Sequence, residues 1–306
     1  MQQLDGLLYL LLMVCIGFGA AGTKLLPKKT TDILPSLLFN ICYPAMILEA
    51  FLTVDVSVLL GTGLPVAAAT VAVTVALIIL GLLVFRKLPE ETKALYTFLA
   101  GVGNVTYVAI PLFSALLPAE AVLLAIIHGS AQDPLIWSVY HPLLLKSTGG
   151  KEHLLKKVIT NPCLIATFAG IILCITGISL PGFLTQTLSR VSAATSPIAL
   201  LLIGMLIYQH GLFSFIRDNR ALLYSILKVV LLPLALLPVF LLFMNRADAI
   251  LLAILFGSPA PLMGIAWAKQ NGGDVPFTVH CFLASTLLFL PVVSAALMLF
   301  TTFGIL

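Results

Sequence analysis

Long apolar runs separated by short polar segments dominate the chain. Ten of these runs contain about 20 or more mostly apolar residues, the length of a helix that crosses a membrane. They cover approximately residues 5–24, 32–51, 57–84, 94–116, 120–145, 158–178, 183–208, 221–244, 248–268 and 275–303. Their unbroken apolar character differs from the alternation of a β-barrel strand. The pattern predicts an all-α membrane protein with ten transmembrane helices, numbered spans 1 to 10.

Composition supports the membrane assignment. Of the 306 residues, 60% are hydrophobic and 9% are charged, against about 25% charged in ordinary soluble domains. Mean hydropathy is +1.15. A soluble core this apolar would leave too little polar surface to face water. Intrinsic disorder, coiled coils and secreted disulfide scaffolds are excluded for the same reason.

Lysine and arginine predict the orientation, because cytoplasmic loops of membrane proteins are enriched in them. With the N-terminus outside, two basic residues fall in outer loops, Arg190 and Arg246, and thirteen in inner loops. The thirteen are Lys24, Lys28, Lys29, Arg86, Lys87, Lys93, Lys146, Lys151, Lys156, Lys157, Arg217, Arg220 and Lys269. This bias predicts a multi-pass protein of the cell membrane with both termini outside.

Other site motifs receive little support. The net charge of +4 comes without a long basic run, so no nucleic-acid partner is expected. The five cysteines show no metal-ligand spacing, and we expect neither a metal nor an organic cofactor. A GxGxxG match from Gly17 to Gly22 lies inside an apolar run, where close helix packing is the better interpretation. The sequence contains no paired catalytic groups, so we do not expect an enzyme.

The two halves of the chain resemble each other at an offset of 154 residues. Gly103 aligns with Gly257, Asn104 with Ser258 and Glu120 with Asp274, and the spans need no gap. Five spans in each half is an odd number, so the second half enters the membrane from the opposite side. We therefore predict a 5+5 inverted repeat, with residues 1–150 as the first and 151–306 as the second. Such repeats recur in secondary transporters.

Glycine, proline and polar residues interrupt spans 4 and 9 at matching positions. Interrupted helices in a membrane leave backbone groups that protein, water or a ligand must satisfy. Half-helix N-termini favour an anion. Candidate substrate-binding residues are Asn104, Thr106, Tyr107, Ser258 and Pro259, and Pro111 and Pro261 are predicted at a helix crossover. The alternative is that the prolines only kink packed helices.

Ionisable groups within a span are costly and therefore candidates for function. Asp133, near the middle of span 5, is predicted to couple an ion, with His128 and Gln132 as possible partners. Alternatively, Asp133 caps a break before Pro134, and His128 is a satisfied core residue. Lys228 in span 8 attracts an anionic substrate or extends to the inner interface.

Span 10 offers two further hydroxyl groups. The 154-residue offset aligns Thr286 with Gln132, and Ser285 precedes Thr286. We predict both as substrate-site residues. The alternative is that they pack helices, as serine and threonine often do in membranes.

Four segments in order resemble the auxin efflux carrier family, which includes plant PIN-type auxin carriers and bacterial malonate or malate permease-like proteins. The first two are the stretch from Asn104 to Pro111, and Asn161-Pro162 with Ile165, Ala166 and Gly170 after it. The last two are Ser196 to Gly204, and Ala268 to Asp274 leading to Ser285-Thr286 and Pro291. The resemblance spans nearly the whole chain.

The resemblance implies a bile-acid-transporter-like fold in which broken spans 4 and 9 cross. It also implies a scaffold of spans 1, 2, 6 and 7, a transport domain of spans 3–5 and 8–10, an elevator-type motion and a homodimer. The central loop is only about a dozen residues long, unlike that of plant carriers. Ser258 replaces an asparagine at the second crossover, which puts a symmetric pair of asparagine contacts in doubt.

Together these features predict a secondary active transporter, not an enzyme, that moves a small organic anion, a carboxylate or an auxin-like acid. Its expected partners are that anion, membrane lipid and a second copy of the chain. A passive channel or facilitator is the alternative, followed by a membrane enzyme or sensor. The choice between H⁺, Na⁺ or no coupling ion, and between import and export, stays open.

Overall fold

A computed structural model describes residues 2–146, 160–270, 272–302 and 304. The predicted polar loop from Lys146 to Lys157 falls almost entirely outside these ranges. Three lysines used to predict the orientation, Lys151, Lys156 and Lys157, also lie outside the described residues. So does the predicted boundary between the two repeats, at residues 150 and 151. Within the ranges given, every regular element is helical.

Twelve main helices account for most of the described chain, and we number them in chain order. They are α1 (Gln2–Gly22), α2 (Thr30–Leu52), α3 (Val56–Val84), α4 (Glu90–Gly101), α5 (the π-helical turn Val105–Ala109 followed by Ile110–Leu116), α6 (Ala119–Leu144), α7 (Pro162–Thr176), α8 (Gly182–His210), α9 (Asn219–Phe240), α10 (Arg246–Phe256), α11 (Leu262–Gln270) and α12 (Val275–Thr302).

Seven helical segments in the described ranges are long and apolar enough to cross a membrane. They include Glu90–Leu116, which combines α4 and α5. The stretches Leu8–Gly22 and Pro162–Thr176 are shorter apolar helices, and predicted span 9 is divided into α10 and α11. The chain is thus a multi-pass membrane protein, and its regular elements in the described ranges are all helices.

Two interruptions shape the centre of the molecule. The first break, residues 102–104, separates α4 from α5, and the second break, residues 257–261, separates α10 from α11. Both lie at the positions where the sequence combines glycine with polar residues or proline. The largest buried cluster surrounds these helices, and every residue from Ala249 to Phe256 in α10 is buried.

Most mid-helix prolines do not break the helices, and the reason is local. Five π-helical turns each end two residues before a proline: Pro44, Pro65, Pro111, Pro142 and Pro233. Proline lacks an N–H and clashes with the carbonyl four residues earlier. The wider turn, in which the residue before the proline bonds five residues back, removes that conflict.

Small residues allow α1 to pack closely along the C-terminal part of α8. A Cβ atom on Gly204 would lie 2.0 Å from the carbonyl oxygen of Val14. Only glycine permits this backbone approach. Gly17 of α1 makes a matching approach, since a Cβ atom there would lie 2.2 Å from the carbonyl oxygen of Leu201, so this glycine packs against α8 as the sequence indicated, whereas nothing lies within 4 Å of the corresponding position on Gly19.

Candidate functional site

The two breaks contact each other inside the protein. The backbone N–H of Asn104 donates a hydrogen bond to the carbonyl oxygen of Pro259 at 2.8 Å. A Cβ atom on Gly103 would lie 2.7 Å from Cβ of Ser258, so glycine is required for this approach. The contact brings predicted residues Asn104, Ser258 and Pro259 into one place.

Two buried polar atoms at this contact, Nδ2 of Asn104 and the hydroxyl oxygen of Ser258, lack hydrogen-bond partners. The hydroxyl oxygen of Thr286, the residue after Ser285 on α12, lacks one as well, and all three side chains are exposed by no more than 3%. No described residue bonds to any of the three. Buried polar groups without partners are expensive. The contact between the breaks therefore has unused polar groups, on Asn104 and Ser258, that a bound solute or water would satisfy.

Ser285 has a structural contact in this region. Its hydroxyl oxygen accepts a hydrogen bond from the N–H of Ala260 at 2.9 Å and donates to the carbonyl of Cys281 at 2.5 Å. This pair of bonds ties the second break to α12. Ser285 is thus beside the predicted site but is already engaged, whereas its neighbour Thr286 is not.

The helices that follow the breaks start beside the cluster. The first N–H groups of any helix have no acceptor within that helix. At α5 these groups begin at Val105, next to Asn104, and at α11 they begin at Leu262, next to Pro261. Two such ends near one point create a region of partial positive charge.

Thr106 and Tyr107 lie on the first turn of α5 and are half-buried. The Tyr107 hydroxyl donates to the carbonyl of Pro35 at 3.3 Å, which connects the first break to α2. Pro111 lies within α5, seven residues after the first break, and a π-helical turn accommodates it. Pro261 lies in the second break itself.

Three side chains complete the hydrogen bonds at the C-terminal end of α4. Tyr224 donates its hydroxyl to the carbonyl of Leu99 at 2.9 Å, and Lys228 donates Nζ to the carbonyl of Ala100 at 2.9 Å. Gln132 donates Nε2 to the carbonyl of Gly101 at 3.2 Å. Gln132 and Lys228 therefore hold the first break in shape.

The structure contradicts one of the two interpretations of Lys228, the side chain extended to the inner interface, and the attraction of an anionic substrate stays a prediction. Its side chain is 3% exposed and does not extend to the interface. The described residues include no acidic partner for it, and its ammonium group binds a backbone carbonyl instead. The first break leaves the Ala100 carbonyl free to accept this bond. Residue spacing in the sequence did not reveal this contact.

Asp133 and His128 face different surroundings on α6. Nδ1 of His128 lies 2.9 Å from the Thr70 hydroxyl, and its ring packs against Phe256 at 4.8 Å, so it is a satisfied core residue. In contrast, no described group bonds to the buried Oδ2 of Asp133. The helix also continues through Pro134, so Asp133 caps no break.

The Asp133 carboxylate lies among polar groups from other helices. It is within electrostatic reach of Tyr43, Tyr107 and Cys163. These residues come from α2, α5 and α7, so Asp133 lies where predicted scaffold and transport helices meet. In the described ranges, no three His, Cys, Asp or Glu side chains are grouped to hold a metal ion.

A cavity of about 950 Å³ opens at the end of the molecule that contains the start of α1. Four carboxylates line it: Asp5, Glu49, Asp55 and Glu120. None of the described lining residues is lysine or arginine. Pro111 and Ser114 of α5 form part of its wall. We refer to it below as the acidic cavity; sequence reasoning missed it because its residues come from distant segments.

An ionic cluster lies where the connection between α8 and α9 meets the start of α12. Asp218 accepts bonds from the N–H groups of Arg220 and Ala221 and pairs with Nδ1 of His280 at 2.9 Å. Burial works against the charged form, but the bond to His280, these N–H bonds and the Arg220 charge together lower the pKa of Asp218. His280 is therefore an interfacial residue of this cluster.

Comparison with known proteins identifies the family. The family model described as "Membrane transport protein" matches residues 4–154 and 151–297, nearly the whole chain. A search of curated proteins finds no match. Members of the matched family are transporters. The chain therefore belongs to the membrane transport protein family, which includes the auxin efflux carriers.

Proposed function

We propose that this chain is a secondary transporter that moves a small organic anion across the membrane by alternating access. The observation that carries the proposal is the contact between the two breaks, with unpartnered polar atoms of Asn104 and Ser258 at it. Thr286, which is also unpartnered, is proposed to complete the site from α12. Secondary transporters with inverted repeats bind substrate at such discontinuous helices.

The charge of the solute follows from the groups at the contact. Two helix N-termini and the Asn104 amide offer hydrogen-bond donors, and the hydroxyls of Ser258 and Thr286 offer further donors. Donors and positive helix ends together match a carboxylate. In this proposal Thr106 and Tyr107 shape the site, and Ser285 and Pro259 hold its backbone.

The proposed architecture has ten spans arranged as a 5+5 inverted repeat, with both termini outside and two copies in the membrane. Support comes from twelve described helices that match the ten apolar runs once the two breaks are counted. Residues 1–150 and 151–306 form the proposed repeats. An elevator-type displacement of spans 3–5 and 8–10 is consistent with the position of Asp133 between the two helix groups.

Asp133 is the proposed coupling residue. Its buried carboxylate oxygen lacks a partner among the described residues, so a proton or a cation would stabilise it. His128 is bonded to Thr70 and is not needed for this role. Gln132 is proposed to support the site indirectly, because its bond to the Gly101 carbonyl holds the first break in shape.

The acidic cavity favours a second candidate, a solute that carries positive charge. Four carboxylates without a lysine or arginine among the described lining residues attract cations and repel anions. If the cavity is the route to the site, an organic amine enters it more easily than a carboxylate.

Solute counterflow in proteoliposomes tests the proposal. Vesicles loaded with one unlabelled acid are assayed for uptake of the same labelled acid, across a panel of mono- and dicarboxylates and a matched panel of primary amines. We expect saturable counterflow with a carboxylate, and its loss in Asn104→Ala but not in Asn40→Ala. Asn40 is a suitable control because it is exposed and bonds only within its own helix. Counterflow with amines alone would replace the first candidate with the second, and non-saturable flux would favour a channel.

A further inference from the structure

The C-terminal end of α4 is a backbone site with four acceptors, and each of them is occupied. The carbonyl of Phe98 accepts the N–H of Val102, and those of Leu99, Ala100 and Gly101 accept Tyr224, Lys228 and Gln132. The last four carbonyls of a helix have no intrahelical partners. All four are therefore satisfied by protein groups, and one of these groups is a cation.

The position of Lys228 matches the charge of a helix end. Aligned peptide dipoles place about half a negative charge at the C-terminus of a helix. The Lys228 ammonium lies 2.9 Å from the Ala100 carbonyl, and the described residues offer it no carboxylate. His128 is a titratable group within electrostatic reach, and it is bonded to Thr70. The half-helix end is thus the counter-charge of the buried lysine.

The other half of the molecule has no such charge at the corresponding place. The 154-residue offset that aligns the breaks also aligns Thr74 with Lys228 and Thr70 with Tyr224 in the sequence. The end of α10 instead folds back on itself, because Ser258 N–H bonds to the Leu255 carbonyl and Gly257 N–H to the Ala253 carbonyl. Lys228 therefore places a positive charge at the first break, and its aligned residue Thr74 provides none for the second. The asymmetry results from this sequence difference between the two halves.

We propose that Lys228 is a positioning residue that acts as a covalently attached cation at the first break. It neutralises the carbonyl end of α4 and keeps the first break in the shape that presents Asn104. A free cation at this position is then unnecessary. The proposal concerns the architecture of the break and does not depend on which solute is carried.

Chemical rescue tests this proposal in the purified full-length protein. Lys228→Ala removes the part of the side chain that corresponds to propylammonium. We expect it to lower the thermal unfolding midpoint by roughly 5 °C or more, because it leaves the Ala100 carbonyl unpaired and removes the cation at the end of α4. Propylammonium in the millimolar range should restore much of the loss, whereas 1-propanol, which has the same size and a hydroxyl donor but no charge, should restore much less.

Three variants keep the result interpretable. Lys228→Met keeps the length without the charge and should resemble Lys228→Ala, while Lys228→Arg should retain most of the stability. Lys269→Ala removes an exposed lysine and should show no response to propylammonium beyond that of the wild type. If Lys228→Ala does not fold, Lys228→Met is compared with Lys228→Arg over the same series of cations.

Several outcomes would overturn the proposal. Equal rescue by 1-propanol would assign Lys228 a space-filling or hydrogen-bonding role, and a fully stable Lys228→Met would remove the need for charge. Because unfolding is measured without substrate, these outcomes leave the transport proposal untouched. Conversely, a failed counterflow assay would not affect the rescue.

Discussion

The N–H of Asn104 bonds to the carbonyl of Pro259, and this single bond connects two interrupted helices from opposite halves of the chain. Both partners belong to segments whose backbone groups cannot complete an α-helical ladder. The bond satisfies one donor of the first break and one acceptor of the second, groups that a membrane interior would otherwise leave unpaired. The polar atoms left over at the contact, on Asn104 and Ser258, define the candidate site.

Gly103→Ala should destabilise the protein through this contact. The added Cβ would lie 2.7 Å from Ser258 Cβ and 3.2 Å from the Ser258 carbonyl oxygen. Overpacking of this kind costs about 1–3 kcal/mol. Thermal or denaturant unfolding measures the loss, and Ser258→Gly in the same chain should restore part of it. Gly19→Ala is the matched control, since nothing lies within 4 Å of its new Cβ; an equal loss there would refute the contact argument.

Neutralising Asp133 should leave the fold intact and change the response to pH. Its Oδ2 has no donor among the described residues, so Asp133→Asn removes an uncompensated buried charge and should not lower the unfolding midpoint at pH 8. Counterflow measured from pH 5 to 8 should lose its pH dependence in this variant. Asp32→Asn, at an exposed position, should keep the wild-type profile. An unchanged profile in Asp133→Asn would remove Asp133 from the coupling mechanism.

The ionic cluster around Asp218 predicts a pH-dependent contribution to stability. Because the folded state lowers the pKa of Asp218, its contribution is complete above the ordinary aspartate pKa of about 4. It is lost as pH falls through the lower folded value. Asp218→Asn keeps a helix-capping side chain but loses the charge, so we expect a loss of about 1 kcal/mol at pH 7.

Unfolding of wild type and Asp218→Asn between pH 7 and pH 3 checks this sign. The difference between the two proteins should shrink toward the acid end. A difference that stays constant, or grows at low pH, would show that the Asp218 charge does not contribute in the stated direction.

The helical, membrane-spanning character of the chain was predictable because apolar length is a property of a single segment. The apolar runs locate the helices, and the stretches at 101–104 and 257–261, which combine glycine with polar residues or proline, mark the two breaks. Family membership was also predicted correctly from four short segments. The ten-span inverted repeat remains a prediction, since seven described segments meet the length and hydropathy of a membrane span.

The parts that were not predictable depend on contacts between distant residues. The sequence did not reveal that a π-helical turn accommodates Pro111 within a helix; its place at a helix crossover stays a prediction. Lys228 donates to the carbonyl of Ala100, a residue 128 positions earlier in the chain. The four carboxylates of the acidic cavity come from separate segments, so only the folded chain brings them together.

Direct binding tests the central claim, that the two breaks form an anion site. Thermal stabilisation of purified protein is measured with a panel of carboxylates, with and without Na⁺, at two pH values. We predict that at least one acid stabilises the wild type and Asn40→Ala in a saturable manner. Asn104→Ala should bind the same acid about tenfold more weakly or worse, because a buried hydrogen-bond partner is lost. Undiminished binding by folded Asn104→Ala and Ser258→Ala variants would contradict the account.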